Sequence, residues 1–145
     1  MFFIKLRNKY ILSYAKSSHA HSSAVPCIIF FMRKVLQSFN WAMNGLHAAW
    51  REEVNFRIEV ILALSVIVGG VYLGFSKLEW VIIIECIVAV LTAELVNTAV
   101  EDLCNRVEPN TDPVIGKIKD IMGGFVFVVV LGAGIIGFMV FSNYF

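Results

Sequence analysis

Three apolar stretches constrain this chain more than any other feature. Ile58–Phe75 carries one charge, Glu59 at its start; Trp80–Glu101 carries Glu85 and Glu94 internally; Ile121–Phe145 carries none. As helices rising about 1.5 Å per residue, each is at least about 27 Å long, enough to cross a hydrocarbon core of about 30 Å with its flanks. The gaps are Ser76–Glu79 and Asp102–Asp120. Of 145 residues, 59% are hydrophobic and 16% charged, whereas a soluble domain is about a quarter charged. These features predict an all-α membrane protein with spans at about 56–75, 80–104 and 114–142.

Lysine and arginine set the expected orientation. Of twelve, eight precede the first span, Lys77 lies in the first gap, and Arg106, Lys117 and Lys119 lie in the second. Eleven therefore share one side, and the bias of positive charge makes that side cytoplasmic, with the C-terminus outside. A bacterial inner membrane is the expected location. Net charge is +1 and gives no reason to expect nucleic acid as a partner. Cys27, Cys86 and Cys104 form no paired motif and suit small apolar filling. His19 and His21 fall in a Ser-rich tail and suggest no metal site.

Residues 1–31 differ from the remainder and are treated as an N-terminal extension without assigned function, ahead of one domain over 32–145. Their apolar run, Ala24–Phe31, is broken by Pro26 and is too short to span. Over 33–53, Val35, Leu36, Phe39, Met43, Leu46, Ala49 and Trp50 recur near helical spacing, with Lys34, Asn40, Asn44, His47 and Arg51 mostly between them. This is the pattern of an amphipathic helix at the headgroup layer. Gly70 and Gly74 in the first span, and Gly123, Gly124, Gly132, Gly134 and Gly137 in the third, allow close helix approach.

Chemistry concentrates in the second span. Glu94, Asn97 and Glu101 are spaced by three and four, which puts them on one helical face. A carboxylate in hydrocarbon needs a partner, a metal or a proton, and marks a functional site by default. Glu53 precedes the first span, and Gly116–Asp120 returns to the same boundary with Lys117 and Lys119. Interfacial carboxylates can hold Mg²⁺ together with substrate phosphates, lysines neutralise phosphate, and a deeper carboxylate can take a proton from an alcohol. Phosphoryl transfer needs chiefly positioning and charge neutralisation, which this inventory supplies. No GxxxxGK[ST] loop and no protein-kinase motif set occurs. Two other uses fit the same spacing: inter-helix hydrogen bonding, and proton or cation translocation by a non-enzymatic transporter subunit. Glu85 lies on the opposite face without an assigned role; Lys77, Glu79 or a subunit contact could partner it.

Residues from about 34 to 142 resemble the small three-span prokaryotic diacylglycerol kinase family, which includes the undecaprenol kinases. The resemblance rests on Gly45-Leu-His-Ala-Ala-Trp50 with Glu53-Val-Asn-Phe-Arg57, on Glu94-Leu-Val-Asn97-Thr-Ala-Val-Glu101, and on Gly116-Lys-Ile-Lys119-Asp120. It implies a lipid kinase with ATP as co-substrate and Mg²⁺ as cofactor. Glu94 would be the catalytic carboxylate, with Asn97 shaping the site. Glu53 and Glu101 would hold magnesium with ATP, and Lys34, Lys119 and Asp120 would join them in binding the nucleotide. It also implies a homotrimer with sites shared between subunits, and a lipid entering from the bilayer. Asn55–Ile58 looks more like the undecaprenol branch, while Gly45–Trp50 also fits the diacylglycerol branch. The chain differs from the family pattern at Asn105, where Asp is usual, and at Asn110-Thr111-Asp112, where Glu and His are common.

Overall fold

A computed structural model describes residues 27–108, 110 and 112–145. Residues 1–26, which include most of the extension and His19 and His21, lie outside the described residues. Every regular element described is helical: α1 (Cys27–Glu52), α2 (Val54–Leu73), α3 (Lys77–Val107) and α4 (Pro113–Phe141), closed by a 3₁₀ turn at Ser142–Tyr144. The chain divides into two compact units, Met1–Ala42 and Met43–Phe145. In the first, Phe31, Val35, Leu36, Phe39 and Trp41 are all exposed. The second holds three helices long and apolar enough to cross a membrane, Val54–Leu73, Lys77–Val107 and Pro113–Tyr144. The protein is a multi-pass membrane protein.

Element ends differ from the sequence expectation in ways the caps explain. Helix α1 starts at Cys27 rather than Arg33 and ends at Glu52. Glu53 is extended, with φ −106° and ψ 120°, and its N–H closes the last turn of α1 on the Ala49 carbonyl at 2.9 Å. Helix α2 ends at Gly74, whose φ of 73° is left-handed, so a side chain there would be strained. Gly74 therefore acts as a terminator, not as half of a packing pair. Three residues later α3 has already begun. The Ser76 hydroxyl accepts from the Glu79 N–H at 3.4 Å, and Glu79 Oε2 accepts from the Ser76 N–H at 2.8 Å, a reciprocal cap for two otherwise orphaned donors. Helix α3 then runs 31 residues to Val107, about 46 Å. It ends three residues past the expected limit near 104. Helix α4 starts at Pro113, behind an Asp112 cap that accepts from Val114 N–H at 2.8 Å and Ile115 N–H at 3.0 Å. Lys117, Lys119 and Asp120 are thus helical, inside the third span expected at about 114–142.

The buried core of the second unit sits at the Phe75 end of the spans. Phe75, Ile83 and Val140 are buried, with Trp80, Phe141 and Tyr144 packed around them. The Phe75 ring meets Trp80, Phe141 and Tyr144 at centroid distances of 5.6, 5.1 and 5.4 Å. A methyl group on Gly70 would come within 2.7 Å of the Phe75 ring, so this backbone approach requires glycine. Tyr144 donates from its hydroxyl to Glu79 Oε2 at 2.7 Å, which ties the chain end to the start of α3. Glu79 is thereby engaged away from Glu85. Elsewhere the spans turn their apolar side chains outward, Tyr72 with 88% exposure and Phe138 with 76% among them.

Candidate active site

At the opposite end of α2 and α3 from that aromatic core, the polar residues of the second span gather. Glu94 is 2% exposed and Asn97 9% exposed, the only polar residues described as buried. Helical spacing puts Glu101 one turn beyond Asn97, and the Asn97 Nδ2 donates to Glu101 Oε1 at 3.3 Å. Helix α2 supplies the other wall. The Asn55 side chain interacts with the Glu94 carboxylate, and the charges of Glu53 and Glu101 are both felt there. Within the sequence-expected trio, the charges of Glu53 and Glu101 thus act on Glu94 within one chain. Asn97 Oδ1 is buried without a hydrogen-bond partner among the described residues, an acceptor left open at the centre of the site.

Lys119 Nζ donates to Asn105 Oδ1 at 2.7 Å, joining the start of α4 to the far end of α3. The Asn105 departure from the family pattern thus supplies the acceptor that holds Lys119. Asp120 and Lys117 are exposed beside it. Asn110 is engaged with Glu108, through its backbone N–H at 3.0 Å and its Nδ2 at 2.9 Å. Asn110 and Asp112 therefore shape the turn and the cap of α4. Lys34 is an exposed residue of α1 within the first unit.

Three residues of the site escaped sequence reading: Asn55, Thr98 and Glu59. The Glu94 charge is felt at Glu59, and Glu59 Oε2 is buried without a hydrogen-bond partner among the described residues, as is the Thr98 hydroxyl. The rule that singled out Glu94, an acid inside a span, applies equally to Glu59. Glu85, by contrast, is exposed and lines a shallow groove with Cys86, Ala89, Gly132 and Ala133.

No group of three or more His, Cys, Asp or Glu among the described residues is arranged to hold a metal by itself. Mg²⁺ keeps several waters and takes one or two carboxylates plus substrate phosphates rather than an all-protein cage. Glu53 and Glu101, whose charges both act on the buried Glu94, are oxygen donors of the kind Mg²⁺ takes.

Helical packing and a carboxylate–amide site between α2 and α3 define an all-α membrane protein with an intramembrane polar centre. Residues 40–141 match the family described as prokaryotic diacylglycerol kinase, and the chain belongs to that family. It is 30% identical over 102 residues to a diacylglycerol kinase of Haemophilus influenzae, covering 70% of this chain and 86% of that protein. It is also 30% identical over 110 residues to an undecaprenol kinase of Bacillus subtilis, covering 76% and 89%. A diacylglycerol kinase of Helicobacter pylori is 35% identical over 89 residues, covering 61% and 69%.

Proposed function

We propose that the chain is a lipid kinase that transfers the γ-phosphoryl group of ATP to the hydroxyl of a membrane lipid in a Mg²⁺-dependent reaction. The acceptor is diacylglycerol, giving phosphatidic acid, or undecaprenol, giving undecaprenyl phosphate; both chemistries are represented among its relatives. One observation carries the assignment: Glu94 is almost wholly buried on a span, where the charges of Glu53 and Glu101 act on it.

In this reading Glu94 accepts the proton of the lipid hydroxyl as the oxygen attacks phosphorus. Glu53 and Glu101 hold Mg²⁺, which neutralises phosphate charge when bound. Asn97 orients Glu101 through its amide, Lys119 and Asp120 engage the nucleotide, and Lys34 contributes to its binding. The Lys119–Asn105 bond holds the lysine near the start of α4, at the site's polar end. Burial between helices excludes bulk water, which otherwise competes with the lipid as acceptor. The functional unit is a homotrimer with shared sites, the substrate enters laterally, and the amino-terminal side is cytoplasmic. Support comes from the outward apolar faces of all three spans and the small core that one chain provides.

The test is radiolabelled ATP with purified protein in mixed micelles, offered diacylglycerol and undecaprenol separately. Label in one or both lipids is the expected result. Label in neither, with the protein folded, would favour a non-enzymatic transporter or proton-conducting subunit.

A further inference from the structure

Glu85 takes no part in the candidate active site, since it lies nine residues before Glu94 on the opposite face of α3. It is exposed, eight residues into the helix and so about 12 Å from its start. It makes no hydrogen bond or ion pair among the described residues. A carboxyl group at that depth is costly against lipid tails and needs a polar partner. Its surroundings leave room for one. Ala89, Gly132 and Ala133 floor the groove it lines, and a methyl group built on Gly132 would meet nothing within 4 Å. Small residues of this kind admit a neighbouring span. The matching donor is Tyr72, which is almost wholly exposed and whose hydroxyl has no hydrogen bond among the described residues. Ser65, the only other hydroxyl of α2, already donates to the Ile61 carbonyl at 2.9 Å. Tyr72 sits one residue before the end of α2, and only Gly74–Ser76 separate that end from the start of α3. Side chains on a helix lean toward its N-terminus. In two consecutive spans of opposite direction, Tyr72 therefore leans from the turn into the bilayer while Glu85 leans back toward the turn. Phenol and carboxyl converge on one depth.

We propose that the α3–α4 groove of one copy receives the Tyr72 face of α2 from the next copy, with the Tyr72 hydroxyl donating to Glu85. This deepens the homotrimer reading and rests on it, but not on the kinase reaction. Within one chain the two groups stay apart, because Glu85 belongs to the groove that α3 forms with α4, on the side of α3 away from α2. The contact joins two different surfaces. Each copy thus offers a groove on one side and a tyrosine on the other, and a closed ring satisfies every pair. Val68, one turn before Tyr72 on the same face of α2, is exposed as well and presents an apolar ridge to Val128 and Ile136 on the groove wall. Glu85 serves as acceptor whether ionised or protonated, since a carboxyl oxygen accepts in both forms.

The experiment titrates association of the full chain in micelles by protein-to-detergent ratio and compares the parent, Tyr72→Phe, Glu85→Leu and the double variant. Each single change should weaken association about threefold or more, the scale of one hydrogen bond between spans. The double variant should lose no more than the worse single, because both changes remove the same contact. Were Glu85 facing lipid, Glu85→Leu would take a costly carboxyl out of hydrocarbon, and association would hold or tighten. That result, or additive losses, overturns the proposal. Parental association in Tyr72→Phe places the phenol in the headgroup layer and overturns it too. A second measurement keeps Glu85 in place: a benzophenone-bearing phenylalanine replaces Tyr72 and is irradiated in the assembled protein. Adducts between copies should fall at residues 85–89 or 128–136, the two walls of the groove. Adducts elsewhere on the neighbouring copy, including α2 on α2, overturn the contact. A parent that stays monomeric overturns the homotrimer reading and this contact together, whereas an assembled parent with insensitive variants removes only the contact. Groove adducts in a parent that labels neither lipid keep the contact and remove the reaction.

Discussion

Glu94 would be an expensive residue if it served packing alone. A buried carboxylate needs charge partners or a reaction to justify its place, and its neighbours include two further acids rather than a closing cation. Glu94→Gln keeps the volume and removes the base, so turnover should fall by about a hundredfold or more, the scale of general-base catalysis. ATP binding, followed by a fluorescent nucleotide, should persist. Wild-type turnover in that variant would remove Glu94 as the base. Glu101→Gln and Glu53→Gln should act differently: each should shift the Mg²⁺ titration of activity upward by about tenfold, the loss of one charged ligand contact. An unchanged titration would remove them as metal ligands. Sequence spacing alone found Glu94, Asn97 and Glu101, because three- and four-residue steps fix a helical face. Spacing gave no reason to join Glu59 to them, since six residues from Glu53 is a different face of α2, although the rule for an acid inside a span applies to it as well.

Among the helices, α3 carries both ends of the design. Its amino-terminal cap joins the aromatic core through Glu79 and Tyr144, and its carboxyl-terminal half carries the acids. The three-span architecture was legible from apolar length, since charge-poor segments of that length have few alternatives. The boundaries were less so. Ser76 and Glu79 spell a capping box in sequence, yet they were read as part of a gap, which delayed the start of α3. Its extension to Val107 was hidden because polar residues past Glu101 no longer signal a span, although they continue a helix readily. Gly70 makes the element-level prediction. Gly70→Ala would press a methyl to 2.7 Å from the Phe75 ring and 3.1 Å from Trp80, and neighbouring rings leave Phe75 little room to retreat. Overpacking of this kind costs about 1–3 kcal/mol, read as a lower unfolding midpoint in micelles. Gly123→Ala, which meets nothing within 4 Å in the chain, should not lower it. Equal midpoints for the two variants would mean that the Gly70 approach is not a tight constraint.

For the whole molecule, the apolar faces that look outward must meet lipid or other copies of the chain. If trimeric sites draw their acids from one protomer and Lys119 from its neighbour, Glu94→Gln and Lys119→Ala protomers, each inactive alone, should recover roughly a quarter of wild-type activity when mixed in equal amounts, from random assembly in a closed ring. No recovery after verified co-assembly would place each complete site within one chain. The inter-subunit question was beyond sequence spacing, which describes one helix at a time and holds no record of which copy supplies a side chain. The aromatic knot has a different consequence. It fastens the spans at one extremity, through Gly70, Phe75, Trp80 and Phe141, while the carboxylates occupy the other. A rod of about 30 Å pivoting there by about 5° swings its far tip by roughly 3 Å, as much as a whole hydrogen-bond length. The bundle is a lever whose fulcrum lies far from its working end, so small misfits around Phe75 will register first as lost catalytic alignment.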